Sequence, residues 1–449
     1  MIENITDKYV EYLLDKIEGD IPQSVYKQAK ICLLDYIGVT FSGASRISEE
    51  INNYIKYMGT SGNAALIGMD RKCGMLEAAF VNGFNAHVME LDDGHQFGMM
   101  HLAAPVISAV LAAADAQNVS FERLLKSIIA GYEAAARLAV SIQPEHKKRG
   151  YHTAGTCGTI GAAVGAAYVM GLDKEGIKAA ISAAGTSAAG ILEIQEDGSL
   201  LKPYNTGNAA VSGANAALFA LTGFCGPDDI IGGERGFSNI FANGSDIDKL
   251  VGAEDYFEIE RVYLKPYAAC RHCHSAIEAA VILKTENNID INEIEEIIIE
   301  TYKLAVKGHD HTRIKGASSA KLSIPYSVAV AYISKECGPD AFDNDKLINE
   351  DILTLTNKVK VIENDEFSSL SPAMRIAKVT IMDKKGFSYS KRVDYAKGDP
   401  KNPMTMSETE AKFNNLMILA NKETVAKKIV ALLKEDINSV NIVKLFELL

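Results

Sequence analysis

Tryptophan is absent from the chain, and cysteine and histidine are scarce, at seven and nine in 449 residues. Cysteines 32, 73, 157, 225, 270, 273 and 337 are scattered and odd in number, which argues against a disulfide framework. No GxGxxG or GxxxxGK[ST] loop occurs, so a nucleotide site has no support. The GxSxG nucleophile elbow is missing too. No internal repeat and no low-complexity linker is found. Positive charge is in deficit: the net charge is -12, which disfavours a nucleic-acid partner. A small anionic substrate stays compatible, because a local cationic pocket can sit in an acidic protein.

The opening residues MIENITDKYVEYLLDK lack a basic start, a long apolar core and a cleavage site, so a cytoplasmic location is expected. One uncharged run, TAGTCGTIGAAVGAAYVMG at 153–171, invites a membrane reading. Its glycines, alanines and threonines are too weakly hydrophobic for that. Gly161 and Gly165 form a GxxxG, and the run reads as a helix buried by close packing, with no membrane span.

What is present is a large apolar fraction, 47%, rich in glycine and alanine. A sizeable core of closely packed helices follows. Residues 1 to 258 read as almost entirely helical: SVYKQAKICLLDYIGVTF, MLEAAFVNGFNAHVMELDD, APVISAVLAAADAQ, FERLLKSIIAGYEAAARLAVSI and the small-residue runs at 153–171, 174–190 and 208–222 each suit one helix. After 258 the pattern changes. YFEIERVYLK alternates as a strand does, SAIEAAVILKTEN is helical, EIEEIIIETYKLA holds a strand, and AKVTIMDKKGFSYSKRV reads strand, turn, strand. The tail from Ser407 returns to helix. The expected fold is mainly α: a discontinuous helical domain over 1–258 and 400–449, and a smaller α+β lid domain over 259–399.

Several stretches carry candidate chemistry. NAHVMELDDGHQFGMMH brings together His87, Glu90, Asp92, Asp93, His95 and His101. If 76–91 is helical, His87 and Glu90 share a face. The group reads as general acids and bases, as a metal site, or as a polar helix end. His152 opens the small-residue helix beside Thr153, where free N–H groups and the positive dipole end suit a carboxylate. Read alone, it favours a packed or hydrogen-bonded structural histidine. His146, in the charged EHKKRG, reads as a solvated loop residue. Two Lys-Pro-Tyr tripeptides, at Lys202 and Lys265, each lead into a small-residue helix, and either lysine could bind a carboxylate.

CRHCH at 270–274 has the C-x-x-C-H spacing of a haem attachment site and half the ligands of a zinc site. Haem attachment of this kind takes place outside the cytoplasm. No second C-x-x-C follows, and the nearest further pair of ligand-type side chains is His309 and His311. An iron–sulfur cluster would need a third cysteine from far away. No metal is assigned on these grounds.

Taken together, several segments resemble the MmgE/PrpD family. They are NGFNAHVMELDDGH with His101, GYHTAGTCGTIGAAVGAAYVMGL, KPYNTGNAAVSGANAALFALTGFCGPDDIIGGERGF, LKPYAACRHCHSAIEAA, AKLSIPYSVAVA and KGDPKNPMT, in that order. The family includes 2-methylcitrate dehydratase, cis-aconitate decarboxylase and iminodisuccinate epimerase. The resemblance implies a helical domain with an α+β lid, an active site where the two domains meet, a homodimer, a small carboxylate as substrate, and no metal or organic cofactor. It implies catalytic roles for Asp92, Asp93, His101, His152, Lys202 and Lys265, and contact with substrate for Glu90, Gly94, Thr153, Cys270 and His274. In the decarboxylase branch Glu90 stands where an Asp is found, Gly94 where a Thr is found, and Cys270 where a histidine is found. These departures argue against decarboxylation. The expected activity is that of a 2-methylcitrate dehydratase-like lyase, with an epimerase of a small dicarboxylate as the alternative. Lys202 and Lys265 would hold carboxylates while His101 and His152 move protons.

Overall fold

The computed structural model describes residues 4–58, 61–115, 117, 119–195, 201–252 and 254–449. The chain divides into two compact units: one contains the residues up to Leu192, Leu201–Val262 and Thr405–Leu449, and the other is built on Tyr263–Met404.

The first unit is helical around one completely buried element. Every residue of the helix Thr153–Val169 is buried. It lies among the helices Ala103–Asp115, Phe121–Ile142, Lys174–Ser187 and Lys202–Leu221. Small residues make this possible. A methyl group at Gly161 would stand 2.5 Å from the Gly131 carbonyl oxygen and 2.6 Å from Ala135 Cβ. The GxxxG therefore packs helix on helix, as its spacing suggested. No helix among the described residues is long and apolar enough to cross a membrane. Polar caps set the ends: Ser120 accepts from the Arg123 amide, Asp173 from the Gly176 amide, and Thr405 and Glu408 form a reciprocal capping box.

The second unit is a four-stranded sheet with helices against it. The strand order is Val359–Glu363, Ile294–Thr301, Ala377–Asp383, Ser388–Val393. The first pair is parallel and the other two are antiparallel. Ile297 lies opposite both Val359 and Ile381. Ile297, Ile299, Val379 and Ile381 are fully buried, each contributing about 2 kcal/mol by leaving water. The helices His274–Asn287 and Ile324–Ser334 pack against each other and against strands of this sheet. The turn joining the last two strands uses Gly386 at φ 84°, a conformation that glycine adopts without strain. The chain is thus mainly α, with a smaller mixed α/β region.

Two local readings need correction. YFEIERVYLK is not one strand: Glu258–Arg261 forms a short 3-10 turn, and extended pairing is limited to Val262–Tyr263. Phe257, Glu258 and Ile259 are buried in succession, so the alternation of apolar and charged residues does not mark two faces of a strand. His146 is fully buried, not solvated. It lies against the Tyr151 and Phe241 rings, 2.8 Å from the Thr156 hydroxyl, and burial and Arg149 push its pKa down to about 4.

Candidate active site

The first unit gathers its candidate side chains around the exit of the helix Met75–Val88. The helix ends before Glu90, whose backbone turns left-handed at φ 54°. That turn sends Asp92 and Asp93 inward, and both are fully buried. Lys412, from the helix Met406–Leu419, donates to the Leu91 carbonyl at 2.8 Å and pairs with buried Asp35 at 2.5 Å, which pins the segment.

Asp92 lies between two imidazoles. His87 Nδ1 donates to its carboxylate at 2.9 Å, and His101 Nδ1 is 3.3 Å away. The two rings meet edge to face at 4.5 Å. Burial raises the Asp92 pKa, but His87 and His101 outweigh it and hold the carboxyl well below its usual range. Asp93 has a different role. It accepts from the Leu102 and Ala103 amides at 3.2 and 2.9 Å, capping the helix Ala103–Asp115, and from the Tyr132 hydroxyl at 2.7 Å. Burial nevertheless pushes its pKa up to about 7, against those hydrogen bonds and with help from Asp92 and Asp35.

His101 Nδ1 donates to the Asp93 backbone carbonyl at 2.7 Å. The Nδ1 proton is therefore fixed and Nε2 keeps its lone pair, 3.8 Å from Glu90. Glu90 in turn holds Lys202, whose Nζ is 2.6 and 2.5 Å from its two oxygens. His152 stands just before the first turn of the buried Thr153 helix and is itself buried. Asn205 donates to its Nδ1 at 3.0 Å. Burial, then Lys202, His87 and His101, push its pKa well down, so the ring is neutral at neutral pH. Gly94 is buried in the same loop, and the Thr153 hydroxyl accepts from Gln143 at 3.0 Å.

His87, Glu90, Asp92, Asp93, His101 and Lys202 thus form one contact network, and His152 feels the charges of Lys202, His87 and His101. The donor atoms of His87, Asp92 and His101 lie within 4.8 Å of one another, a set a cation could use. Their contacts with one another are hydrogen bonds from imidazole to carboxylate, which orient the rings without an ion. His95 stands apart, 2.9 Å from buried Glu258.

Lys265, Cys270 and His274 belong to the second unit. Lys265 is fully buried. His274 opens the helix His274–Asn287, donates from Nε2 to the Ala269 carbonyl at 3.2 Å, and accepts from Arg271 at 3.3 Å. Burial, Arg271 and Lys265 keep it neutral by pushing its pKa well down. Arg271 pairs with Asp399 at 3.0 Å. Cys270 is half-buried, with Sγ 3.4 Å from His309 Nε2.

Sequence reasoning missed Asn205, Tyr132 and Lys412. Asn205 was within reach, since it lies one helical turn after Lys202 and shares its face. Tyr132 and Lys412 come from distant helices and carry no local signal.

Comparison with known proteins agrees with this architecture. The MmgE/PrpD N-terminal domain matches residues 9–250, and the MmgE/PrpD C-terminal domain matches residues 267–435. A cis-aconitate decarboxylase of Aspergillus terreus is 25% identical over 476 residues, covering 99% of this chain and 96% of its own. The cis-aconitate decarboxylase-like protein oryM of Aspergillus oryzae is 25% identical over 391 residues, with 81% and 80% covered. The Mus musculus cis-aconitate decarboxylase is 22% identical over 463 residues, with 98% and 93% covered. The chain belongs to the MmgE/PrpD family.

Proposed function

We propose that this chain is a cofactor-independent lyase that removes water from a small di- or tricarboxylate, in the manner of a 2-methylcitrate dehydratase. The observation that carries the reading is the fixed tautomer of His101, with Nδ1 donating to the Asp93 carbonyl and flanked by Asp92. An imidazole oriented in this way is a base at Nε2, and the anionic Asp92 stabilises the imidazolium that forms.

The chemistry follows from the weakness of the carbon acid. His101 Nε2 takes a proton from the carbon next to a carboxylate. The electrons of that C–H bond form the new C=C bond. Hydroxide leaves from the neighbouring carbon and departs as water with the proton that His101 returns. Charge builds on the carboxylate during the first step, and a preorganised cation there is the main lever on the rate. Lys202 supplies it, with its Glu90 partner holding the ammonium in place. Neutral His152 has Nδ1 engaged by Asn205 and offers an Nε2–H to the same oxygen. Lys265 has the same carboxylate-binding role in the second unit's cluster.

The state of His152 also favours elimination over epimerisation. A two-base epimerase needs one protonated and one unprotonated group, and a histidine kept neutral is a poor proton donor to carbon. Decarboxylation, the activity named for the relatives above, is less well supported because Glu90, Gly94 and Cys270 depart from that branch.

The test is a screen of 2-methylcitrate, citrate, cis-aconitate and an aspartate-like diacid. A new conjugated double bond, read by its absorbance, supports dehydration. Deuterium wash-in without net elimination would instead establish the epimerase, and release of carbon dioxide the decarboxylase.

The expected homodimer has a surface available. Tyr204, Leu218, Phe219, Leu221 and Phe224 are exposed along and just after one helix, and Phe219 stacks on Phe224 at 4.1 Å. A second copy covering this apolar patch accounts for its exposure. Light scattering on Phe219→Glu reads the outcome: a monomer supports it, and an unchanged dimer places the interface elsewhere.

A further inference from the structure

We infer that Cys270, His272 and His309 form a three-ligand site for a borderline divalent cation, zinc by the chemistry of the donors. The fold brings together what the C-x-x-C spacing did not. Cys273 is fully buried, and its sulfur contacts the Lys321 carbonyl at 4.0 Å. His311 is held by the Ser319 carbonyl at 3.0 Å. The residues that converge are Cys270, His272 and His309, with one donor atom from each inside a span of 4.8 Å.

The geometry fits a tetrahedral ion. A sulfur and an imidazole nitrogen bound to one zinc stand about 3.5 Å apart, from bonds of about 2.3 and 2.05 Å. Cys270 Sγ and His309 Nε2 are 3.4 Å apart. The other two separations are no more than 4.8 Å, against about 3.4–3.5 Å for two zinc-bound atoms, so the side chains have to draw together by at most about 1.5 Å on binding.

The outer contacts are those of ligating histidines. His309 Nδ1 donates to the Lys307 carbonyl at 3.0 Å, which leaves the Nε2 lone pair facing the thiol. His272 Nδ1 is 2.6 Å from the Tyr302 hydroxyl. A bond donated from Nδ1 to that oxygen makes Nε2 the unprotonated nitrogen, the form that ligates a metal. The two rings meet at 4.9 Å, edge to face. Backbone anchors hold the ligands: the Cys270 amide donates to the Lys321 carbonyl, and the His309 carbonyl accepts from the Ile324 amide.

Binding displaces the thiol proton. The S–H bond breaks, its electron pair forms the sulfur–zinc bond, and one proton goes to solvent for each ion bound. All three ligands are partly exposed, so a fourth position is open to water or an anionic oxygen. Arg375 is one nearby cation, whose charge interacts with Cys270 and favours the thiolate. Arg375 also repels the ion, so the expected affinity is that of an exchangeable site and not of a permanent structural one. The lyase reading routes no step through a metal; it shares only Cys270 with this site, through the family resemblance, and the zinc titration is read without substrate so that either can fail alone.

The experiment uses the full chain, stripped with a chelator and titrated with zinc against a chromophoric competitor, and separately with cobalt. The expected result is one equivalent bound, with a dissociation constant at or below about 10 µM. Cobalt should give a near-ultraviolet thiolate charge-transfer band and tetrahedral visible bands. Cys270→Ser should remove that band and weaken zinc about a hundredfold, and Tyr302→Phe should weaken it about tenfold. His311→Ala and His87→Ala should change it by less than about twofold. Zinc affinity unchanged in Cys270→Ser would place the metal elsewhere and overturn the assignment, as would absence of saturable binding. Should Cys270→Ser fail to fold, peptide mapping of the wild type decides: zinc should slow iodoacetamide labelling of Cys270 at least about tenfold, and unchanged labelling overturns the site.

Discussion

Lys202 and Glu90 clamp two separate helices together through one ion pair, with Nζ within 2.6 Å of both carboxylate oxygens. The lysine opens the helix Lys202–Leu221, and the glutamate sits in the left-handed turn after the helix Met75–Val88. Both side chains are about nine-tenths buried, at 13% and 10% exposure. The pair therefore sets the position of the cation and holds a backbone conformation that costs roughly 1–3 kcal/mol in a non-glycine residue.

Breaking that pair leaves a charge poorly solvated. Glu90→Gln is expected to lose on the order of 3 kcal/mol of stability, and Lys202→Met a similar amount. The double variant should lose less than the sum, with a coupling of about 1–3 kcal/mol in chemical denaturation. Additive losses would mean that the two side chains do not depend on each other.

Asp93 gives a pH dependence with a definite sign. Its folded pKa, about 7, lies above its ordinary value of 3.8, so the folded protein binds the extra proton between the two. Its contribution to stability is present in full below the ordinary value and declines as pH rises toward 7. In thermal melts the difference between wild type and Asp93→Asn should shift against the wild type from pH 4 to pH 7 and then level off. A difference that stays flat across that window would remove the raised pKa.

His152 should remain neutral where an exposed histidine titrates. Its pKa is pushed well below 6.5 by burial and by neighbouring Lys202. Because the folded value is depressed, its contribution is present above the ordinary pKa and is lost as pH falls. Nitrogen-15 NMR of the imidazoles should show one tautomer, protonated at Nε2, unchanged from pH 8 to pH 5. Titration near pH 6.5 would return this histidine to the role of a proton donor and revive the epimerase.

Close helix packing makes a stability prediction of its own. Gly161→Val places a side chain against the Gly131 carbonyl and Ala135, at distances no core can accept without backbone movement. A loss of about 3 kcal/mol or more is expected, read as a lowered melting temperature or as insoluble expression. Wild-type stability in this variant would contradict the packing of the buried helix.

Much of this was legible because it is local. The small-residue run at 153–171 announced a buried helix, and the alternation of AKVTIM gave its strand. His101, Asp92 and Asp93 lie in one short segment, so their meeting needed no tertiary information. The rest depends on distant contacts. Nothing near Glu90 in the sequence announces Lys202, and nothing near Asp93 announces Tyr132. The different states of Asp92 and Asp93 come from their neighbours in space: two imidazoles for one, two amides and a phenol for the other. CRHCH is not one cluster in space: its second cysteine is buried in the core, while His309, well downstream in sequence, stands beside the first. His146 misled because its charged neighbours stay outside while its ring fills a space between Tyr151 and Phe241.

The role of His101 is tested most directly by following proton exchange and elimination together. Wild type and His101→Gln, each checked for folding, would be incubated in deuterium oxide with the carboxylate that the wild type turns over, and followed by proton NMR. The expected result is that His101→Gln loses both deuterium incorporation and product formation by about 10²–10⁴-fold, with substrate binding retained. Turnover within about tenfold of wild type would contradict His101 as the base.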